Sequence, residues 1–337
     1  PEVTVGGCIA NNVHGKNPYN DGIFQEIVDE IEIITPGKKE TIIANRVLNS
    51  ELFFNTCGGY GLTGIIISAK LKLNSIKSNN FIKKKFFSNS PEDSLELLLK
   101  NKDSYCSYAW HDFSLTKKWG NGIINLYYEA ENKNEKKNDL KINTKFDLLK
   151  YKQPFNFYNS FSIKILNRIY YFINSLDKKD IVDISALNFP MNTFPIYFWY
   201  FFNGSKGFIE SQVIIPFDNF DNFNKKLKEM VFKKKISIFG NVMKIFNGKK
   251  TNLSFESEGV CINYEFLNHE KNNEFFREFY EMVSQNKGIT SLYKDSKINQ
   301  ADIKKQYGLR YENFIKFLKE IDPDKKLNSL FGEKIRL

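Results

Sequence analysis

Two glycine-rich stretches carry the first chemistry legible in this sequence. Gly59-Tyr60-Gly61-Leu62-Thr63-Gly64 fits a G-x-G-x-x-G spacing, and Gly6-Gly7 opens a run of small residues that ends in His14-Gly15-Lys16-Asn17. Without a Cβ, such backbone brings its N–H groups close to a phosphate or a planar cofactor ring. A dinucleotide fingerprint needs a strand before the glycines and a helix after them. Here the helix-like Ser50-Glu51-Leu52-Phe53-Phe54 comes first and an alternating strand follows, so that reading is rejected. A tight helix-to-strand turn without a ligand accounts for this loop as well as a binding loop does. In the other stretch His14 stands between close-approach backbone and the cation Lys16. A lone histidine is commonly structural, and this placement shifts the weight toward function.

Other chemistries are poorly supported. Cys8, Cys57, Cys106 and Cys261 lie far apart, and so do His14, His111 and His269, which argues against a disulfide framework or a metal centre. The balance of 49 Lys+Arg against 39 Asp+Glu, a net charge of +10, suits anionic partners such as phosphorylated substrates or acidic headgroups. Lysine is abundant together with Asn, Ile and Phe, a compositional bias that leaves many lysines simply solvated. The lysines are spread diffusely and no nucleic-acid motif is present, so nucleic acid is not expected as a partner. The apolar run at 196–202 is too short to span a bilayer.

The elements that must position these residues follow from periodicity. Val3-Thr4-Val5 reads as a strand running into Gly6-Gly7, and a chain that opens in mid-strand is expected to be truncated. Residues 28–34 read as a strand. Residues 65–73 alternate, with Ile65, Ile67, Ala69, Leu71 and Leu73 on one face and Ser68, Lys70 and Lys72 on the other. Beyond residue 74 the texture changes. Residues 91–99 read as a capped helix with Glu92 and Asp93 in its first turn. Strands are expected at 105–113 and 122–130, a polar loop at 131–141, and an amphipathic helix at 157–176. A second β-rich block follows: strands at 207–216, 236–246 and 259–266, with a helix at 218–232. A helix at 270–286 closes on Gly288 as a C′ glycine, and a helix at 302–318 is stopped by Asp322-Pro323. The pattern is a mixed α+β chain with a break near residue 74.

The two loops together resemble the vanillyl-alcohol-oxidase-type (PCMH-type) flavoproteins, and within them the decaprenylphosphoryl-ribose oxidase branch. The residues that carry the resemblance are Val3-Thr4-Val5-Gly6-Gly7, Val13-His14-Gly15-Lys16-Asn17, Asp21-Gly22, Glu51-Leu52-Phe53 and Gly58-Gly59-Tyr60-Gly61-Leu62-Thr63-Gly64-Ile65-Ile66. It continues through Ala109-Trp110, Gln212-Val213-Ile214-Ile215-Pro216, Asn241-Val242-Met243-Lys244, Lys294-Asp295-Ser296 and Ile321-Asp322-Pro323. The sequence departs from the family pattern at Pro18, at Gly259 two places before Cys261, and in a shortened approach to Lys294 through Leu292-Tyr293.

The resemblance implies a bilobal enzyme with FAD as cofactor. Residues 1–74 would be the second subdomain of a PCMH-type FAD-binding domain whose first subdomain is missing. Residues 75–300 would form a substrate domain with an antiparallel sheet flanked by helices, and 301–337 a helical segment packing back on the FAD domain. Carried over by motif, Thr4, Val5, Gly6, Gly7, Asn11, Asn12, Val13, His14, Ile65 and Tyr293 would line the flavin. Lys294 would be catalytic, stabilising charge on the reduced flavin and orienting the hydroxyl that loses hydride. Lys16, Trp110, Gln212, Lys244 and Cys261 would face the substrate. For Cys261 a buried inert thiol is the alternative.

The function implied is oxidation of a secondary sugar hydroxyl, C2 of a polyprenyl-phosphate-linked ribose, with a partner reductase completing epimerisation to arabinose. A soluble aldonolactone or alditol is the alternative substrate, and a non-catalytic basic binding module the alternative of another class. The expected location is cytoplasmic with peripheral membrane contact. The aromatic stretches Tyr170-Tyr171-Phe172 and 197–202 would meet lipid or, as the leading reading, fill core.

Overall fold

Most of the alternating and capped segments become the elements expected of them. The computed structural model describes residues 3–130, 157–176, 181–188, 207–249, 252–269 and 272–336. The segments 131–141 and 196–202 lie outside the described residues.

The first part of the chain builds a small antiparallel sheet from β1 (Val28–Ile34), β2 (Ile42–Asn45) and β3 (Ile65–Leu71), in the order β2-β1-β3. Helices α1 (Val5–Asn11) and α3 (Ser50–Thr56) contribute Ile9 and Phe53 to the core beneath it, alongside Val28, Ile31, Ile33 and Ala44. The short helix α2 (Pro18–Asp21) lies between α1 and the sheet in sequence.

Two local expectations are corrected here. Val3-Thr4-Val5 does not form a strand: Thr4 Oγ1 accepts a hydrogen bond from Gly7 N at 3.1 Å and caps a helix that contains both glycines. The cap satisfies an N-terminal amide that β-propensity alone ignores. The alternation at 65–73 also breaks, because β3 carries a bulge. Ser68 pairs with Glu32 and Ile66 with Ile33, so Ile67 is an extra residue. Ile66, Ala69 and Leu71 then pack on the core, while Ile65 and Ile67 are 57% and 51% exposed.

The rest builds an eight-stranded antiparallel sheet from β4 (Asn80–Ser88), β5 (Cys106–His111), β6 (Gly122–Glu129), β7 (Ile181–Asp183), β8 (Phe208–Ile215), β9 (Ile238–Asn247), β10 (Glu258–Leu267) and β11 (Ile289–Thr290). Its order is β11-β8-β10-β9-β5-β6-β4-β7. One cross-strand row reads Val213, Ile262, Met243, Ala109, Ile124, all buried. That face packs against apolar residues of α4 (Pro91–Lys100), α7 (Phe220–Lys234) and α8 (Asn273–Gln285), among them Leu98, Phe223, Leu227, Phe275 and Phe279. Ser90 caps α4 as expected, accepting from Asp93 N at 3.0 Å.

Three further differences concern helix ends and faces. In α8 the left-handed C′ residue is Lys287 (φ 56°), not Gly288. Gly288 N donates to Val283 O and Lys287 N to Ser284 O, the paired bonds of a Schellman ending. Gly288 is required instead because a Cβ there would strike Ile214 O and the Ile215 side chain. The tail is two helices, α9 (Gln300–Tyr307) and α10 (Leu309–Ile321), broken at Gly308 (φ 53°), followed by α11 (Leu330–Arg336). In α5 (Ser160–Leu176), Tyr170 and Tyr171 pack on Trp110 and Phe87, but Tyr170 is 45% and Phe172 62% exposed, so this stretch does not fill the core. Downstream of β7 stands the short helix α6 (Ile184–Asn188).

Candidate active site

Period two decides which side chains reach the other face of the large sheet. The rows next to the apolar one read Gln212, Asn263, Val242 and Ile214, Cys261, Lys244; one step further Glu210 faces Glu265. These groups point away from α7 and α8, where the loop after α1 covers them. Asn12 sets that loop. It takes a left-handed conformation (φ 45°), its Nδ2 donates to Ser254 Oγ at 2.9 Å, and its Oδ1 accepts from Gln25 N at 2.8 Å. His14 then pairs with Ile23 in an isolated bridge, which lays His14 and Lys16 over the sheet.

His14, Lys16, Gln212, Lys244, Asn263 and Lys294 converge, with Tyr108 and Val242, on a pocket of about 190 Å³. Each contact has a readable polarity. His14 Nδ1 lies 3.0 Å from the Gly15 carbonyl and Nε2 lies 3.0 Å from Gln212 Nε2. A carbonyl only accepts and an amide NH₂ only donates, so the proton sits on Nδ1 and the ring is neutral. Burial, reinforced by the Lys244 and Lys294 charges, holds its pKa down to about 3. Lys244 Nζ donates to Gly15 O at 3.0 Å, and burial, followed by the Lys16 and Lys294 charges, lowers it to about 8. Lys16 sits 5.2 Å from the centroid of the Tyr108 ring, and burial lowers its pKa too.

Lys294 is ion-paired with Glu210. Across the strand, burial and then the Glu210 charge push Glu265 up to about 7. Gln212 Oε1, Asn263 Oδ1 and Glu265 Oε2 are buried acceptors without a hydrogen-bond partner. Such groups are costly unless a ligand or water supplies the donor. The arrangement thus offers ammonium groups to an anion and amide oxygens to hydroxyl donors. Among the described residues no His/Cys/Asp/Glu cluster has the makings of a metal site.

Other residues singled out from sequence lie around or away from this pocket. Cys261 lies in register with Lys244, fully buried, its thiol pushed up to about 12 by burial. Trp110 shares a face of β5 with Tyr108 and packs edge-on against Tyr170 at 4.7 Å. Tyr293 is half-buried, edge-on to Phe255, with its hydroxyl pKa raised by burial. Thr4 caps α1, Val5 is 51% exposed, and Gly6 has open space where a Cβ would stand. Gly7 N is held by Thr4, and Asn11 Nδ2 donates to Gly7 O at 2.9 Å. Val13 is half-buried. Thr4, Val5, Gly6, Gly7, Asn11, Asn12, Val13 and Ile65 are thus not on the pocket wall. Three of the four glycines of the 58–64 loop have close protein neighbours: a Cβ would strike Ser254 at Gly58, Asn55 O at Gly59, and Ile33 and Ile34 at Gly64, whereas Gly61 (φ 74°) has open space.

Glu210, Asn263, Glu265, Tyr108 and Val242 were not read from sequence. A signal was present for most of them. Glu210 and Gln212, and Asn263 and Glu265, are polar residues two apart inside apolar strands, and Tyr108 stands two before Trp110.

No family model matches the chain. Decaprenylphosphoryl-β-D-ribose oxidase of Mycolicibacterium smegmatis is 26% identical over 350 residues, covering 100% of this chain and 74% of that protein. Cytokinin dehydrogenase 2 of Arabidopsis thaliana is 39% identical over 71 residues, 21% of this chain and 14% of that protein. Cytokinin dehydrogenase 10 of Oryza sativa subsp. japonica is 35% identical over 71 residues. The resemblance seen in the loops is thereby sustained along the whole chain: this protein is a relative of decaprenylphosphoryl-β-D-ribose oxidase and an oxidoreductase.

Proposed function

We propose that this chain is an FAD-linked enzyme that oxidises the C2 hydroxyl of a ribose carried on a polyprenyl phosphate. The carrying observation is the pocket that joins Lys16, Lys244 and Lys294 to two buried amide oxygens, those of Gln212 and Asn263, which have no donor. A phosphodiester supplies the anion that the ammonium groups favour, and sugar hydroxyls supply the missing donors. The full-chain likeness to the smegmatis oxidase supports the same reading.

The residues fit a flavin. Val5 and Ile65 offer exposed apolar surface, and Gly6 leaves room for close approach of a planar ring. FAD, when bound, would supply the acceptor for the hydride of the carbinol carbon, and the hydroxyl proton would leave to solvent. Lys294 orients the reacting hydroxyl and offsets negative charge as it develops, with Glu210 holding the ammonium in place. Lys16 and Lys244 hold the phosphate, while neutral His14 fixes the rotamer of Gln212 through their shared contact. A reductase acting next on the keto sugar completes an epimerisation.

The visible spectrum of the purified protein tests this. Oxidised-flavin bands that bleach with a polyprenyl-phospho-ribose analogue are the expected outcome. Bleaching only with soluble sugars moves the substrate to an aldonolactone or alditol. A protein that stays colourless with excess FAD overturns the flavin reading.

A further inference from the structure

Helix α5 has two faces with different fates. On one, Ile163 and Asn167 are buried, Asn167 Nδ2 donates to Asp112 Oδ1 at 2.7 Å, and Tyr170 packs on Trp110. On the other, Phe161, Ile165, Ile169, Phe172, Ile173 and Leu176 recur at spacings of three and four, and all are between 43% and 71% exposed. A stripe this wide normally faces a core. Exposed to water, it marks a surface that meets something apolar.

The charges on the helix say what. Lys164 and Arg168 are its charged residues, both basic, and they form the ridge beside the stripe; no acidic residue occurs from Ser160 to Leu176. A second copy of the chain docked stripe to stripe would bring like charges together. An anionic bilayer surface instead pairs with the basic ridge while its acyl boundary takes the stripe.

We propose that α5 is an interfacial helix that seats the protein on an anionic lipid membrane. The seat also adjoins the pocket: Tyr170 of α5 packs on Trp110, which shares a face of β5 with the pocket residue Tyr108. A substrate whose lipid tail stays in the bilayer therefore presents its phospho-sugar next to the lysines. This second step rests on the polyprenyl-phosphate reading; membrane seating itself does not.

Co-sedimentation with vesicles is the test, comparing phosphatidylglycerol–phosphatidylcholine mixtures with phosphatidylcholine alone. The protein is expected to pellet with the anionic vesicles and at least tenfold less with the neutral ones. The double variant Phe172→Glu/Ile173→Glu is expected to lose binding at least tenfold, with unchanged turnover of a short-chain, water-soluble phospho-ribose substrate. Lys164→Gln/Arg168→Gln, which leaves the apolar stripe intact, is expected to lose most of the salt-sensitive part of the binding. A wild-type protein that remains in the supernatant, or variants that bind as well as wild type, overturn the proposal. So does a stripe-dependent dimer in sedimentation velocity without vesicle binding. Flavin bleaching without vesicle binding would sink the seating alone; vesicle binding without bleaching would sink the proposed function and leave the seating intact.

Discussion

Gln212 Nε2 lies 3.0 Å from His14 Nε2, a contact across 198 residues of sequence that ties the middle of β8 to the loop after α1. Through it the floor of the pocket and its cover share one hydrogen bond, and the polarity of that bond requires a neutral imidazole. The pH behaviour of the protein follows from this.

His14 and the fully buried His111 are both held at about 3, in each case chiefly by burial. Between about pH 6.5 and 3 the unfolded chain binds protons at both sites and the folded chain does not. Stability is therefore full above pH 6.5 and falls as the pH drops through that window, by at most about 1.4 kcal/mol per pH unit for each histidine. Thermal melts from pH 7 to 4 should show a shallower acid slope in His14→Gln than in wild type. An identical slope would mean that His14 titrates normally in the fold.

Lys244, lowered to about 8 by burial and its cationic neighbours, is charged below that pH and neutral above it. With an anionic substrate, kcat/KM should hold below about pH 8 and decline above it. Lys244→Arg, whose guanidinium stays charged, should carry the plateau to higher pH. If both proteins decline together, another group sets the limb.

Lys294→Ala removes the cation paired with Glu210. The loss expected is about 100- to 1000-fold in kcat, the scale for deleting one preorganised electrostatic group, with a smaller change in KM. Single-turnover flavin reduction measures it directly. A change confined to KM would make Lys294 a binding residue only.

Two glycines should respond in opposite ways. At Gly59 an added Cβ would run into Asn55 O, so Gly59→Ala should cost about 1–3 kcal/mol in denaturant unfolding. At Gly6 nothing stands within 4 Å, and the residue is helical, so Gly6→Ala should leave stability equal or raise it by up to about 1 kcal/mol. If flavin lies against α1, the same variant lowers FAD affinity, which fluorescence titration would detect.

Cys57, Cys106 and Cys261 are buried with thiols raised to about 12, 11 and 12, while Cys8 is half-buried. Iodoacetamide at pH 8 should modify Cys8 first in the native protein, and the other three only after denaturation. Rapid native labelling of Cys261 would show that the pocket floor opens.

Much of this was legible locally. The Ser90 cap, the helix-loop-strand order around Gly59 and the strands now labelled β5, β6, β8, β9 and β10 all depend on residues a few positions apart, where periodicity and capping act directly. Legibility failed where a single long-range or backbone feature overrode the pattern. The Thr4 cap turned an apparent strand into α1, the bulge at Ile67 turned Ile65 outward, and close approach to β8 explained Gly288. His14 and Lys16 stood out together at the end of the Gly6-Gly7 stretch, but Lys294, Lys244 and Gln212 were named because of a resemblance, since nothing in their local spacing connects them. Sequence by itself determined most of the element types, the α+β class and the alternation that puts Glu210 and Gln212 on one face of a strand. The tertiary structure decided that this face is the one turned from the helices, and that β8, β10 and β9 lie side by side beneath the loop of His14. The reason is physical: sheet order and register are set by burying the row from Val213 to Ile124 against α4, α7 and α8, a condition on the whole chain at once, and the polar rows reach the pocket only as its consequence.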